Sequence, residues 1–361
     1  MTDHLLALST SCFYAGELDT GRRACEQLLD RRLPPNIEHQ VRANRTWYTQ
    51  LLGDLCDVAY HPFDIEPAHE GWSLFNPTLL PYGDRLFAIV RSSNYKIVEG
   101  RYVIPEADGD LIRTQNILVE LDHQLQATKA RTIKDPDYEK TGYPVDGLED
   151  CRLRHTADGI GVSATVRNVA PFDGRCRIAT ADLDVDNAEL SNLRVMASLQ
   201  CQEHEKNWMP AGGGWLYAAN HNGHAVTVDP DVTCRGSYQL IQRAPAPQLS
   251  SGFRGGGQVV RWRGGWLGIV HEVAHMPTGQ RVYEHRLVTW DDGWRLKACS
   301  PAFSFLETQT IEFAAGLAVV GERVLVTFGV KDATAHLAAI MEDDVARLLK
   351  PVAADAGRAA A

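Results

Sequence analysis

The chain has 361 residues, 44% of them hydrophobic, enough to bury a large core in one large domain or two unequal ones. Its formal net charge of -10, with no run of Lys and Arg, excludes a general nucleic-acid surface, because backbone phosphates demand clustered cations. The start, Met1-Thr2-Asp3-His4, lacks the pattern of a secretory signal, and no apolar stretch reaches membrane-spanning length, so a cytoplasmic protein without a membrane partner is expected.

From about Leu5 to Leu55 the chain reads as helical: Ala24, Leu28 and Leu29 share a face, and Pro34-Pro35 separates them from a segment with Val41, Trp47, Tyr48 and Leu51. The stretch Tyr14-Ala15-Gly16-Glu17-Leu18 through Arg23-Ala24 resembles a tetratricopeptide unit. Barely more than one unit is present, too few to stack alone, so a helical extension over residues 1–60 packed on the main domain is expected ahead of a peptide-binding array. The eight cysteines contain no Cys-x-x-Cys pair, which predicts reduced, mostly buried thiols and no metal site.

After Pro62 a Gly-centred turn followed by an apolar run with a polar end recurs five times, over Tyr82–Arg91, Asp158–Arg167, Gly213–Asn220, Gly264–His271 and Val320–Gly329. The spacing of roughly 50 to 75 residues suits one four-stranded propeller blade per copy. The predicted fold is therefore all-β, a five-bladed β-propeller over 61–345 carrying a short N-terminal α-helical extension and followed by a tail over 346–361. The five runs are expected as the inner strands, with Arg91, Arg167, Asn220 and His271 around one funnel. A β-sandwich gives no reason for a fivefold recurrence.

Four polar clusters carry candidate chemistry: Gly147-Leu148-Glu149-Asp150-Cys151-Arg152, Glu205-Lys206-Asn207-Trp208, His271-Glu272-Val273 and Tyr283-Glu284-His285-Arg286. An acid at Asp150 would protonate a leaving sugar oxygen, while Lys206, His271 and nearby arginines would hold an attacking anion. Asn76, in Phe75-Asn76-Pro77, is an amide and cannot be a water-activating base; similarity to five-bladed arabinan and xylan hydrolases, which usually carry an Asp at the equivalent position, tilts the reading from hydrolysis toward phosphorolysis. Glu149, Glu203 and Glu272 stay open as bases. Bland alternatives stand beside each assignment: a loop-capping Asp150–Arg152 pair, a solvated Lys206, a core His271 and a packing Tyr283.

The order Asn76-Pro77, Arg91, Glu149-Asp150-x-Arg152, Glu205-Lys206-Asn207, Gly255-Gly256-Gly257, Trp266-Leu267 with His271-x-Val273, Tyr283 and Gly329-x-x-Asp332 resembles glycoside hydrolase family 130, the β-mannoside phosphorylases and their relatives. The likeness spans Trp72 to Ala338. It implies a five-bladed propeller, inverting chemistry without metal or other cofactor, and inorganic phosphate as co-substrate. It implies Asp150 as the general acid, acting through a sugar hydroxyl, and Arg167, Asn168, Arg177, Lys206, His271 and Tyr283 at or near the phosphate. Asn76, Arg91 and Asp332 match sugar-pocket positions, and Glu149, Arg152, Asn207 and Trp208 are assigned beside them. Expected partners are an oligosaccharide or sugar 1-phosphate, with homo-oligomerisation open. Cys151 replaces the family's Pro and Glu272 its Gly, departures that leave donor and acceptor identity open. The N-terminal helices also resemble the helical tail after some family 2 glycosyltransferase domains. Alternatives are a mannosyltransferase using a nucleotide sugar, an inverting hydrolase and a non-catalytic glycan-binding propeller.

Overall fold

A computed structural model describes residues 2–98, 100–170, 174–196, 204–229 and 239–352. The second strand of the first sheet, Arg85–Ser93, shows why the recurrent apolar runs are continuous rather than alternating. Phe87 and Ile89 pack with Leu153 and Val162 of the next sheet, whereas Ala88 and Val90 pack with Leu325 and Leu337 of the last. Both faces are buried, so neither tolerates polar residues. Further clusters join the second sheet to the third through Ile178 and Trp215, the third to the fourth through Leu216 and Val288, and the fourth to the last through Ile269 and Val326. The sheets thereby close into a propeller-like ring.

Four sheets are regular blades. The first runs Ser73–Tyr82, Arg85–Ser93, Ile112–Leu121, Ala127–Thr132, with the short Val145–Asp146 strand added in parallel to Ile112–Leu121. The second and third are four-stranded meanders over Glu149–Val195 and Met209–Pro245. The last joins Glu312–Val320, Arg323–Val330 and Thr334–Met341 to Val58–Pro62, which enters from the other end of the chain.

The expected count of five blades is corrected here to four, because the remaining sheet is not a four-stranded blade but a composite of eight strands. Its long central pair, Gly265–His275 and Arg281–Trp290, is flanked on one side by two short strands, Arg254–Gly255 and Val260–Trp262, in place of one. On the other side it recruits Gln50–Leu51 through Phe303–Ser304, and Lys350–Pro351 through Leu296–Cys299. The five Gly-turn runs are also corrected: each lies second in its sheet, not innermost. Gly83 and Gly321, at φ 62° and 60°, make the tight hairpin turns that start two of these strands, a conformation L side chains rarely adopt.

The N-terminal segment forms three helices, α1 (Thr2–Tyr14), α2 (Leu18–Leu29) and α3 (Pro35–Arg45), around Leu5, Cys12, Ala24, Leu28, Val41 and Tyr48. The division expected at residue 60 falls inside Val58–Pro62, so that strand belongs to the ring. Part of the expected tail is likewise structured, with a helix over Glu342–Leu348 and the pair at Lys350–Pro351. Of the six cysteines among the described residues, five are buried and all are free. No helix among the described residues is long and apolar enough to cross a membrane.

The extension docks on the composite sheet through buried charge. Arg45 spans Glu272 (Nη1–Oε1 2.9 Å) and Glu284 (Nη2–Oε2 2.6 Å), all three side chains being at most 2% exposed. Arg286 links Glu272 (2.8 Å) to Glu26 of α2 (2.6 Å), and Arg42 adds a further pair with Glu272. This corrects the reading of Glu272, Glu284 and Arg286 as cleft groups. A strand turns successive side chains to opposite faces, so His271 and Tyr283 line the cleft while Glu272 and Glu284 meet α3.

Candidate active site

A cleft of about 420 Å³ opens where all the sheets converge. Asn76 and Arg91 come from the first sheet, Glu149, Asp150 and Arg167 from the second, Lys206 and Asn207 from the start of the third. The composite sheet supplies Arg254, His271 and Tyr283, and the last blade Phe313 and Asp332. Four lining residues hold left-handed backbone: Asn76 (φ 48°), Asp150 (51°), Asn207 (61°) and Asp332 (51°). Asn and Asp tolerate that region better than other L residues. At Asn76 and Asp150 it coincides with breaks in strand register, between Phe75 and Thr78 and between Glu149 and Arg152. Such bulges re-aim a side chain, here into the cleft.

Asp150 is held from three sides. Its Oδ1 accepts from Asn76 Nδ2 and Arg91 Nη1, each at 2.9 Å, and its carbonyl accepts from Arg152 Nη1 at 3.1 Å. Arg91 also donates to Glu149 Oε1 at 2.5 Å and lies over the rings of Phe75 and Tyr95. Burial raises the Asp150 carboxyl, but Arg91, the Asn76 hydrogen bond, Arg152 and Lys206 together hold it below the usual range. In the free protein it is therefore a carboxylate.

Burial works against the ammonium of Lys206, yet Cys176, Glu149 and Asp150 outweigh it and keep it charged. Burial, then His285, Arg254 and Arg152, press His271 well below the ordinary histidine range. His271 is thus a neutral imidazole, stacked on Tyr283 at 5.2 Å, rather than a member of a cationic set. Burial raises the Tyr283 phenol, which stays a donor. Burial also raises Asp332, despite Arg91, and its Oδ2 accepts from the Tyr95 hydroxyl at 2.8 Å.

Ten of the fourteen residues singled out in the sequence line this cleft: Asn76, Arg91, Glu149, Asp150, Arg167, Lys206, Asn207, His271, Tyr283 and Asp332. Arg167 is partly engaged, by the Gly174 carbonyl (3.1 Å) and the Tyr143 hydroxyl (2.8 Å).

The other four lie outside it, and of these Arg152 bonds to its lining residues. Arg152 is buried and ties Asp150 to Gly256 O (2.6 Å) and Asn207 Oδ1 (3.3 Å). Asn168 accepts the N–H groups of Thr141, Gly142 and Tyr143, fixing a loop instead of reaching the cleft. Arg177 is buried and donates to Cys176 O at 2.8 Å. Trp208 donates to Glu205 Oε2 at 3.2 Å and packs against Tyr217.

Asn220, expected at the funnel, instead bonds Pro247 O and Ser250 Oγ, within the second of two register shifts in its strand. Glu203 lies outside the described residues.

Sequence reasoning missed Tyr95, Tyr102, Arg254 and Arg281, all of which line the cleft. Arg254 was within reach: it precedes the Gly255-Gly256-Gly257 run and pairs in register with His271. Those glycines let backbones meet, since a Cβ at Gly255 would collide with the carbonyl of Asn207. Gly255→Ala is expected to displace Asn207 and lower stability by about 1–3 kcal/mol, read by denaturant unfolding.

Fold and cleft together define a propeller-like protein whose central cleft combines carboxylates with several cations. No family model matches the sequence, and neither does any curated protein. Solved structures do: the β-1,2-mannobiose phosphorylase of Listeria innocua, in complex with β-1,2-mannobiose, is 13% identical with a TM-score of 0.53, covering 81% of this chain and 99% of that one. A putative glycoside hydrolase from Parabacteroides distasonis is 13% identical (TM-score 0.51; 79% and 97% covered). A protein from a study of glycoside hydrolases within the GH130 family of mannoside phosphorylases, targeting β-1,2 mannosidic linkages in Candida mannan, is 12% identical (0.53; 85% and 99%). The fold of the ring is therefore of the glycoside hydrolase family 130 kind.

Proposed function

We propose that the protein is a carbohydrate-active enzyme catalysing inverting phosphorolysis, or the reverse synthesis, of a β-mannoside or related β-glycoside. The observation that carries this is one cleft in which Asp150 faces a set of anion-binding groups, Lys206, Arg167, His271 and Tyr283. In the forward direction a phosphate oxygen attacks the anomeric carbon from the side opposite the leaving group. The glycosidic C–O bond breaks, its oxygen takes the proton supplied by Asp150 through a sugar hydroxyl, and an α-sugar 1-phosphate forms. Asn76, Arg91 and Asp332 hold the sugar, with Glu149 and Asn207 beside them. The reaction needs no cofactor beyond phosphate as co-substrate.

The test is incubation with mannose 1-phosphate and a panel of acceptor sugars, following phosphate release, with GDP-mannose in parallel. Release only from mannose 1-phosphate supports phosphorolysis. Turnover of GDP-mannose alone moves the reading to a transferase, and sugar release from oligosaccharides that ignores phosphate moves it to a hydrolase.

Inorganic phosphate should also protect the protein against heat. A ligand at one hundred times its Kd adds about 2.7 kcal/mol of stability. Lys206→Ala should remove most of this protection by thermal shift, because the substitution deletes a cleft-lining cation without touching the Arg91–Asp150 pair.

A further inference from the structure

A second cleft, of about 330 Å³, lies behind the first. The two share a wall, the two-residue parallel ladder that pairs Ile112 with Val145 and Arg113 with Asp146. Ile112 and Val145 line the central cleft, whereas Arg113 and Asp146 line the second. Its other walls include Trp72 and His69, whose rings lie 4.5 Å apart and tilted by 58°, together with Asp135 and Tyr138.

Asp135 is the unexplained group. Its Oδ1 is buried without a hydrogen-bond partner, and burial, followed by the charge of Asp146, pushes its carboxyl up to about 6. At neutral pH it is a carboxylate in the wall of the cleft, and no group among the described residues donates to that Oδ1. Asp146, by contrast, is engaged by Lys140 Nζ at 2.7 Å and the Gly147 N–H at 3.0 Å.

The chemistry of the lining narrows the ligand. An anion would meet the carboxylates of Asp135, Asp137 and Asp146 against two cations, Arg113 and Lys140, that are already paired with Asp108 and Asp146. No group of His, Cys, Asp or Glu among the described residues is arranged to hold a metal. A wholly apolar ligand would leave these polar groups unpaired. A neutral polyhydroxylated ring fits: its C–H face covers the Trp72 indole, its hydroxyls donate to Asp135 and accept from Arg113, and the volume is at the lower end of small-ligand clefts, about 300–1,000 Å³. We propose that this cleft is a second carbohydrate-binding site, of mono- or disaccharide size, with Trp72 as its platform and Asp135 as its hydroxyl acceptor.

The full chain, without phosphate, is titrated by calorimetry with β-1,2-mannobiose, cellobiose and N-acetylglucosamine in turn. Asp135→Asn and Trp72→Ala are each expected to weaken binding at one site at least tenfold while phosphate-dependent thermal protection stays unchanged. If the central cleft also takes the sugar, stoichiometry falls from two to one; if it does not, from one to zero, so failure of the phosphorylase reading is told apart. Should Trp72→Ala fail to fold, Asp135→Asn carries the test. Binding that survives Asp135→Asn, or no binding by any of the three sugars beyond what Asp150→Asn and Lys206→Ala abolish, overturns the proposal.

Discussion

Asp150→Asn is expected to lower turnover about 100-fold to 10,000-fold while the protein stays folded, the range a positioned general acid supplies. The amide keeps the shape of the side chain, and Arg91 retains its bond to Glu149, so no buried cation is stranded. Circular dichroism and unfolding midpoints close to wild type, together with lost phosphate release, are the expected pair of results; a stable variant with most of its activity removes Asp150 from the acid role. The electrostatics add a condition. Arg91 holds Asp150 ionised in the free protein, and an acid must carry a proton. In the proposed reaction, a phosphate dianion beside Lys206 and Arg167 would oppose that ionisation and raise the Asp150 carboxyl toward the working range. The proposed reaction then has phosphate bind before Asp150 takes its proton, and predicts that the rate with phosphate bound falls as pH rises through the raised value.

The second large effect is far from the chemistry. Arg45→Met should destabilise the protein by about 3 kcal/mol, read from denaturant unfolding. Breaking one partner of a buried pair costs about 3–5 kcal/mol, and the lower end applies because Glu272 keeps Arg42 and Arg286 while Glu284 keeps the Thr49 hydroxyl. The pH dependence has a definite sign. Burial raises Glu272, but Arg45, Arg286 and Arg42 bring it well below the usual carboxylate range, so its stabilising contribution is fully present above the unfolded value near 4.3 and is lost as pH falls toward the depressed one. Acid should loosen the helices from the sheet first in the wild type, and Arg45→Met should blunt that transition. An unchanged midpoint in Arg45→Met would show that the network contributes nothing net.

The strands that start at Gly turns were legible because burial on both faces leaves an uninterrupted apolar run, as in Leu86-Phe87-Ala88-Ile89-Val90. The cleft residues at their ends, Arg91, Arg167 and His271, were legible for the same reason: a polar residue closing such a run has to reach a mouth or solvent. Two-residue strands such as Gln50–Leu51 and Lys350–Pro351 carry no period, so the composite sheet could not be read. Neither could the left-handed backbone at Asn76, since a residue before proline is normally extended. Glu284 and Arg286 misled because their charge signals a partner without saying on which face it lies. The helix partners, Arg45 for Glu284 and Glu26 for Arg286, are each more than two hundred residues away.

The pairing of Val58–Pro62 with Thr334–Met341, in which Val58 meets Ile340, sets a timetable for the nascent chain. Translation delivers the helices and the first of these strands before the other sheets, yet the strand that seals the ring follows all four of those sheets' central strands. Until then the apolar flank of the first blade, with Leu79, Ala88 and Val119, has no neighbour, because Ala318, Leu325 and Leu337 are still unmade. Closing a loop of this length is slow, and an open flank is a surface on which other chains can pair. A ribosome that stalls after the fourth sheet would release an unclosed arc with that flank bare, a form suited to chaperone capture.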